Sequence, residues 1–285
     1  MHTQNLSIIL PAKNEGPALA AILPKLREQY PASEIIVVND GSTDDTENLC
    51  RRHNIRVLNH PYSIGNGAAV KSGARAAVGD TLVFMDADGQ HQPADIERLL
   101  ARLDEGYDMV VGARARKSQA GAHRALINMF YNGLASWMVG QRVADLTSGM
   151  RAVRADRFRE FLHLLPNGFS YPTTITMAFF RAGYAVGYLP IETETRIGKS
   201  HIRLFRDGVR FFLIIFRIGV LYSPLKLFLP ISAMSFLLGV SYYSYTYITI
   251  GRFTNMSALL ISTSILIFLM GLVAEQITML MYQKR

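Results

Sequence analysis

The sequence predicts an α/β domain on a mostly parallel sheet, followed by an amphipathic interfacial helix and a two-helix transmembrane hairpin. Three observations predict it. Short apolar runs alternate with helical patterns along the N-terminal half, as in a parallel sheet covered on both faces. Several of these runs end in polar or acidic residues, at the edge where such sheets bind ligands. Two long stretches near the C-terminus carry no charged residue.

The elements follow in order. Leu6 to Leu10 is too short for the apolar region of a signal peptide and reads as the first strand. Further strands are expected over Glu34 to Val38, Ile55 to Leu58, Thr81 to Met85 and Met109 to Val111. Helices are expected over Pro17 to Gln29, Thr43 to His53, Gly67 to Ala77 and Ala94 to Leu103. The strand ends carry Lys13-Asn14-Glu15, Asn39-Asp40-Gly41-Ser42 and Asp86-Ala87-Asp88. Beyond them, Arg124 falls on the next expected helix, and Asp145 to Arg151 reads as a turn feeding a strand.

Leu227 to Gly251 and Phe253 to Ala274 are each longer than the roughly 20 apolar residues that cross a bilayer as a helix. Only Arg252 separates them, so they form a hairpin. The expected division is 1–201 for the α/β domain, 202–223 for the interfacial region and 224–285 for the hairpin, with spans at about 227–250 and 254–280. Phe205, Val209, Phe212, Phe216 and Val220 recur at helical spacing, with Arg203, Arg206, Arg210 and Arg217 on another face, as in a helix lying among lipid headgroups. Basic residues before the first span, and Lys284 and Arg285 after the second, place both ends in the cytoplasm of a cell (inner) membrane, with Arg252 opposing. Glu275, near the end of the second span, either reaches the interface or pairs with a neighbour.

Lys plus Arg number 30 and Asp plus Glu 22 in 285 residues, a net charge of +8. From Arg196 to Lys226 the only acidic residue is Asp207. Such an excess suits nucleic acid, an anionic membrane surface or a phosphorylated substrate. Its position beside a membrane span, with no groove-reading motif, argues against nucleic acid. Cys50 is the sole cysteine, which excludes an intrachain disulfide.

Asp86-Ala87-Asp88-Gly89-Gln90 is the sharpest chemical signal. Alternation along an extended chain would aim Asp86 and Asp88 the same way, and hard oxygen ligands suit Mg²⁺ or Mn²⁺ arriving with substrate phosphates. The competing reading is a cap for the helix starting near Pro93-Ala94-Asp95. His91 lacks zinc-type spacing and reads as incidental. Asp40, at a strand end, reads as free to accept hydrogen bonds from a base or ribose. Gly65-Asn66-Gly67 with Lys71 fits either a phosphate approach or a plain turn. Arg114 ends the fifth strand and Arg196-Ile197-Gly198-Lys199-Ser200-His201 opens the basic belt; arginines on the ligand side suit phosphate oxygens.

Taken together, Pro11-Ala12-Lys13-Asn14-Glu15, Val38-Asn39-Asp40-Gly41-Ser42, Asp86 to Gln90, Gly112-Ala113-Arg114, Asp145 with Ser148-Gly149-Met150-Arg151, and Arg196 to Ser200 carry a resemblance. The chain resembles the membrane-anchored polyprenyl-phosphate glycosyltransferases of glycosyltransferase family 2, the branch similar to dolichyl-phosphate mannose synthase. The resemblance implies a GT-A fold, a Rossmann-like mixed sheet, and inverting transfer of a hexose-type sugar from a GDP- or UDP-linked donor to a polyprenyl phosphate. It implies donor contacts from Pro11, Lys13, Glu15, Val38, Asp40, Asp86, Ala87, Asp88, Arg114 and Arg196, and metal ligation by Asp86, Asp88 and Gln90. Arg124, Asn128, Arg196, Lys199, Ser200 and His201 would meet the acceptor phosphate, and Asp88, Asp145 and Arg114 would carry catalysis, Asp145 as base or as positioning group. Lys13, Asn39, Met150 and His201 depart from residues common in the family. The implied partners are the donor, the lipid acceptor, the bilayer and a second copy through the hairpin. Two alternatives stand beside this reading. A processive polysaccharide synthase would carry Gln-x-x-Arg-Trp, whereas the only tryptophan, Trp137, follows Ala135-Ser136. A non-catalytic, membrane-tethered nucleotide-sugar binder would have no need of both aspartates and the arginines.

Overall fold

The computed structural model describes residues 5–114, 122–168, 170–193 and 219–282, and the chain divides into two compact units, Met1–Ile202 and Arg203–Arg285. In the first unit the strands are β1 Leu6–Ala12, β2 Glu34–Asn39, β3 Arg56–Asn59, β4 Thr81–Phe84, β5 Met109–Arg114, β6 Arg151–Arg154 and β7 Val186–Ile191. The helices are α1 Gly16–Gln29, α2 Thr46–Arg52, α3 Asn66–Ala76, α4 Ala94–Asp104, α5 Ala122–Val139, α6 Ala155–Glu160 and α7 Tyr171–Arg181. The strands form one sheet in the order β3-β2-β1-β4-β6-β5-β7. Every pairing is parallel except those of β6, which runs antiparallel to both β4 and β5.

Burial on both faces explains the composition of the central strands. All seven residues of β1, Leu-Ser-Ile-Ile-Leu-Pro-Ala, are buried. Leu6, Ile8 and Leu10 join Leu19, Leu23 and Leu26 of α1 in the core. On the other face α3 brings small residues close to the sheet: a Cβ at Gly73 would lie 2.4 Å from Ile9 Cγ2 and 3.2 Å from Val38 Cγ2. Pro11 is tolerated in this central strand because β1 pairs with β4 only from Leu6 to Ile9. Ile9 faces β4, accepting the N–H of Met85, so the amide that Pro11 lacks points to where that ladder has ended. The parting of β1 from β4 opens the carboxyl edge of the sheet.

Helix α2 starts at Thr46, three positions after the expected Thr43, because Thr43 and Asp44 are held in a loop-to-loop network. Thr43 N–H donates to Asn14 Oδ1 at 2.7 Å, and Asn14 N–H donates to Ser42 Oγ at 2.9 Å. The Asp44 carboxylate accepts Gly16 N–H at 3.0 Å and Thr46 N–H at 3.1 Å, so one side chain serves the first turns of both α1 and α2.

The second unit holds α8 Pro224–Ile250 and α9 Asn255–Tyr282, both long and apolar enough to cross a membrane. Only 11% and 17% of their most apolar windows are buried, which separates them from the core helices of a soluble domain. Gly251, with φ 68°, ends α8 in the left-handed conformation, and its N–H returns to Tyr247 O. Ser232 Oγ donates to Ser264 O at 2.9 Å and Ser235 Oγ to Leu260 O at 3.1 Å, joining the helices through small polar side chains. Glu275 accepts Leu225 N–H at 3.2 Å and Ser223 Oγ–H at 3.4 Å, so it pairs at the positive end of α8. The expected interfacial helix lies outside the described residues apart from its last positions.

Candidate functional site at the carboxyl edge of the sheet

The loops after β1, β2, β4 and β5 emerge at one edge because those strands are parallel. The antiparallel course of β6 brings the segment before it, Asp145 to Met150, to the same edge. Gly112 N–H donates to Met150 O at 2.9 Å and fixes this segment beside the end of β5.

Arg114 and Asp145 meet there. Arg114 Nε donates to Asp145 Oδ2 at 2.8 Å and Nη2 donates to Oδ1 at 3.1 Å, a two-point pairing. Arg114 Nη2 also reaches Thr147 Oγ1 at 2.6 Å, and Thr147 N–H returns to Asp145 Oδ1 at 3.0 Å. Burial alone would raise the Asp145 carboxyl, but the adjacent guanidinium and the Thr147 amide hold it below the usual carboxylate range. Burial alone would lower Arg114, but Asp145, Asp86 and Asp88 together raise it, which puts all three carboxylates in its electrostatic neighbourhood. Both Arg114 and Asp145 therefore remain ionised at neutral pH, and Asp145 is committed to its partner.

Strand β4 ends at Phe84, so Asp86 and Asp88 stand on a turn and strand alternation does not govern their direction. Asp88 Oδ1 accepts Gln90 N–H at 3.2 Å across Gly89, whose φ is 82°. The N-cap position of α4 is Pro93, with no side-chain cap hydrogen bond. Asp86, Asp88 and Gln90 all stay partly exposed. His91, read as incidental from spacing, is 6% exposed with Nε2 3.7 Å from Asp86 Oδ2. Burial would raise the Asp86 carboxyl, while His91, Arg114 and Arg151 hold it below its ordinary value. The offered atoms are oxygens, which suit a hard divalent cation. Among the described residues no group of three or more His, Cys, Asp or Glu gathers that could hold a metal ion by itself.

Arg151 lies beneath this edge, fully buried, donating to Ser148 O at 2.5 Å and Pro172 O at 3.2 Å. Its guanidinium lies 5.8 Å from the Tyr171 ring centroid. Arg151 Nε, Ser148 Oγ, Tyr171 OH and Tyr188 OH are buried without a protein partner among the described residues. Burial pushes Arg151 below the usual arginine value.

Three of the expected donor residues, Asp40, Val38 and Ala87, lie buried. Asp40 is not free: it is 4% exposed, and its oxygens face His60 Nδ1 at 2.7 Å and accept Ser63 Oγ–H at 2.8 Å, Ile64 N–H at 2.8 Å and Gly65 N–H at 2.9 Å. It builds the 60–65 loop. Val38 is 0% exposed and turned toward α3, so it has no surface for a nucleotide; Ala87, at 2%, has almost none. Pro11 is buried at the end of β1, Glu15 precedes α1, and exposed Lys13 donates from Nζ to Ser63 Oγ at 3.0 Å. The start of α3 is also occupied from within. Ala68 N–H donates to Asn167 O at 3.1 Å, Lys71 Nζ donates to Leu165 O at 3.0 Å, and a Cβ at Gly67 would lie 2.1 Å from Pro166 O. The packing role of Gly65-Asn66-Gly67 prevails over a phosphate approach. Arg124 and Asn128 belong to α5, with side chains outside the described residues, as are Arg196, Lys199, Ser200 and His201.

Replacing Asp40 with alanine strands the Ile64 and Gly65 amides and is expected to cost about 2–3 kcal/mol. Burial would raise the Asp40 carboxyl, but its hydrogen bonds hold it below the ordinary value, so its stabilising contribution is complete above about pH 4 and fades as pH falls through the folded value. Thermal melts of both proteins from pH 7 to pH 3 check this; the gap should narrow only at the acid end.

The chain is similar to known proteins of one family. The family model described as glycosyl transferase family 2 matches residues 7–162, and the one described as GtrB C-terminal hairpin matches residues 223–280. An undecaprenyl-phosphate mannosyltransferase of Micrococcus luteus is 30% identical over 207 residues, covering 67% of this chain and 85% of that protein. A polyprenol monophosphomannose synthase of Mycolicibacterium smegmatis is 29% identical over 218 residues, covering 70% and 81%. Among solved structures, glucosyl-3-phosphoglycerate synthase from Mycobacterium tuberculosis, in complex with Mn²⁺ and UDP-glucose, has a TM-score of 0.62 at 22% identity, covering 76% of this chain and 78% of that one. The mixed sheet with its antiparallel β6 is thus the GT-A fold that the sequence led one to expect, and the chain belongs to glycosyl transferase family 2.

Proposed function

We propose that this protein transfers a hexose-type sugar, with inversion, from a GDP- or UDP-linked donor to the phosphate of a membrane polyprenol. The observation that carries the reading is the union, in one chain, of a family 2 domain and a GtrB-type hairpin. The names of two relatives, each covered over more than four-fifths of its length, point to the same acceptor class.

A phosphate oxygen of the acceptor attacks the anomeric carbon, the bond from that carbon to the donor's diphosphate oxygen breaks, and a nucleoside diphosphate leaves. An acceptor phosphate with second pKa about 6 is largely dianionic at neutral pH, so no strong base is needed. Asp145 then acts as a positioning group that aims Arg114, in keeping with their two-point pairing. Arg114 supplies fixed positive charge to the phosphates. Pro11, Lys13 and Glu15 flank the nucleotide, while Arg124, Asn128, Arg196, Lys199, Ser200 and His201 serve the phosphates. Asp86, Asp88 and Gln90 would hold Mg²⁺ or Mn²⁺, which when bound neutralises charge on the departing diphosphate. The domain over 1–201 works on the cytoplasmic side, carried by the interfacial region and hairpin at the depth of lipid headgroups. Anchoring raises the effective concentration of an acceptor confined to the bilayer.

The test is the full chain in detergent, given undecaprenyl or dolichyl phosphate and a panel of nucleotide sugars, with the lipid products weighed by mass spectrometry. A polyprenyl-phosphate hexose formed from one donor is expected. Product only with a polysaccharide primer, or binding of donors without turnover, would overturn the reading.

A further inference from the structure

The Asp86 carboxylate occupies the space that any side chain at position 149 would need. A Cβ on Gly149 would lie 2.3 Å from Asp86 Oδ2 and 2.7 Å from both Cγ and Oδ1. Gly149 is not among the residues with positive φ, so the backbone does not demand glycine there; the neighbouring carboxylate does. Nor can position 149 retreat. Met150 O accepts Gly112 N–H at 2.9 Å, and on the other side Ser148 O accepts the buried guanidinium of Arg151. That guanidinium is itself held by Pro172 O and Thr176 Oγ1. Asp86, on a partly exposed turn, is the partner that would move.

We propose that Gly149 is a positioning residue for the donor site: its bare Cα is the floor on which the Asp86 carboxylate rests, and Arg151 fixes that floor through the Ser148 carbonyl. The assignment rests on the reading of Asp86 as a cation ligand, and it adds a residue that never touches the cation. A methyl group at 149 turns the carboxylate away from the site and leaves the sheet intact.

The experiment uses the full chain in detergent as wild type, Gly149→Ala, Asp86→Ala and the double variant. Mn²⁺ affinity in the presence of GDP or UDP is read by electron paramagnetic resonance, and thermal midpoints are read in parallel. Gly149→Ala is expected to weaken Mn²⁺ binding about tenfold or more and to lower the midpoint slightly. In the Asp86→Ala background the same substitution should change neither. Unchanged Mn²⁺ affinity in Gly149→Ala, or an equal effect in both backgrounds, would overturn the proposal. If wild type binds no Mn²⁺, the cation reading falls, and the midpoints alone decide whether Gly149 seats Asp86: coupling supports it and additivity overturns it. Should Gly149→Ala fail to fold, recovery of a folded protein on adding Asp86→Ala supports the proposal, and failure of both overturns it.

Discussion

Asp88→Ala is expected to lower sugar transfer several hundredfold, about 3–4 kcal/mol of transition-state stabilisation, with the melting midpoint little changed. The small structural cost follows from what Asp88 does in the fold. It is partly exposed, its Oδ1 accepts Gln90 N–H across a glycine turn, and the N-cap position of α4 is Pro93. The large functional cost follows from the charge that the Asp88 carboxylate would supply to the cation. Initial rates at increasing Mn²⁺ check the expectation. Activity equal to wild type at low Mn²⁺ would remove Asp88 from the site.

The second large effect is at Asp145, where stability and turnover should fall together. Asp145→Ala leaves the Arg114 guanidinium without its two-point partner and is expected to cost about 3 kcal/mol in stability. Transfer should fall about a hundredfold because Arg114 loses its aim. The sign of the pH effect follows from the Asp145 carboxyl lying below its ordinary value in the folded protein. Its stabilising contribution is present in full above about pH 4 and is lost as pH falls through the folded value, so wild type and variant should converge only in acid. Asp145→Asn separates a positioning role from a base. A positioning group leaves the shape of the rate–pH profile unchanged while lowering its height; loss of the acid limb would show proton transfer by Asp145.

Much of the fold was legible because parallel strands buried on both faces carry apolar runs, such as Ile8-Ile9-Leu10 in β1 and Ile35-Ile36-Val37-Val38 in β2. The hairpin was legible from length and absence of charge. The second half of the domain was harder to read. Strand β7, Val-Gly-Tyr-Leu-Pro-Ile, contains glycine and proline, tolerable because β7 is an edge strand. Helix α7, Tyr-Pro-Thr-Thr-Ile-Thr-Met-Ala-Phe-Phe-Arg, is rich in residues that favour strands, yet it is almost wholly buried, and packing outweighs propensity.

In the site, spacing singled out Asp86 and Asp88, a strand end singled out Arg114 and the family resemblance pointed to Asp145, but the antiparallel direction of β6 is what brings Asp145 to Arg114 and Gly149 beneath Asp86. A local pattern carries no sign of that direction. The same limit explains Asp40: its position at a strand end was readable, whereas its closure by donors 20 to 25 residues further along was not. His91 was set aside for lacking zinc-type spacing, although its place beside the aspartates was visible and its 3.7 Å approach to Asp86 was not.

The most direct test of the central claim, that Asp86 and Asp88 hold the cation serving a nucleoside diphosphate, is anomalous scattering at the manganese edge. Crystals of the full chain grown with Mn²⁺ and GDP or UDP should show one strong peak within bonding distance of an Asp88 oxygen, with the diphosphate on its far side. A diphosphate bound at this edge with no manganese beside either aspartate would contradict the account.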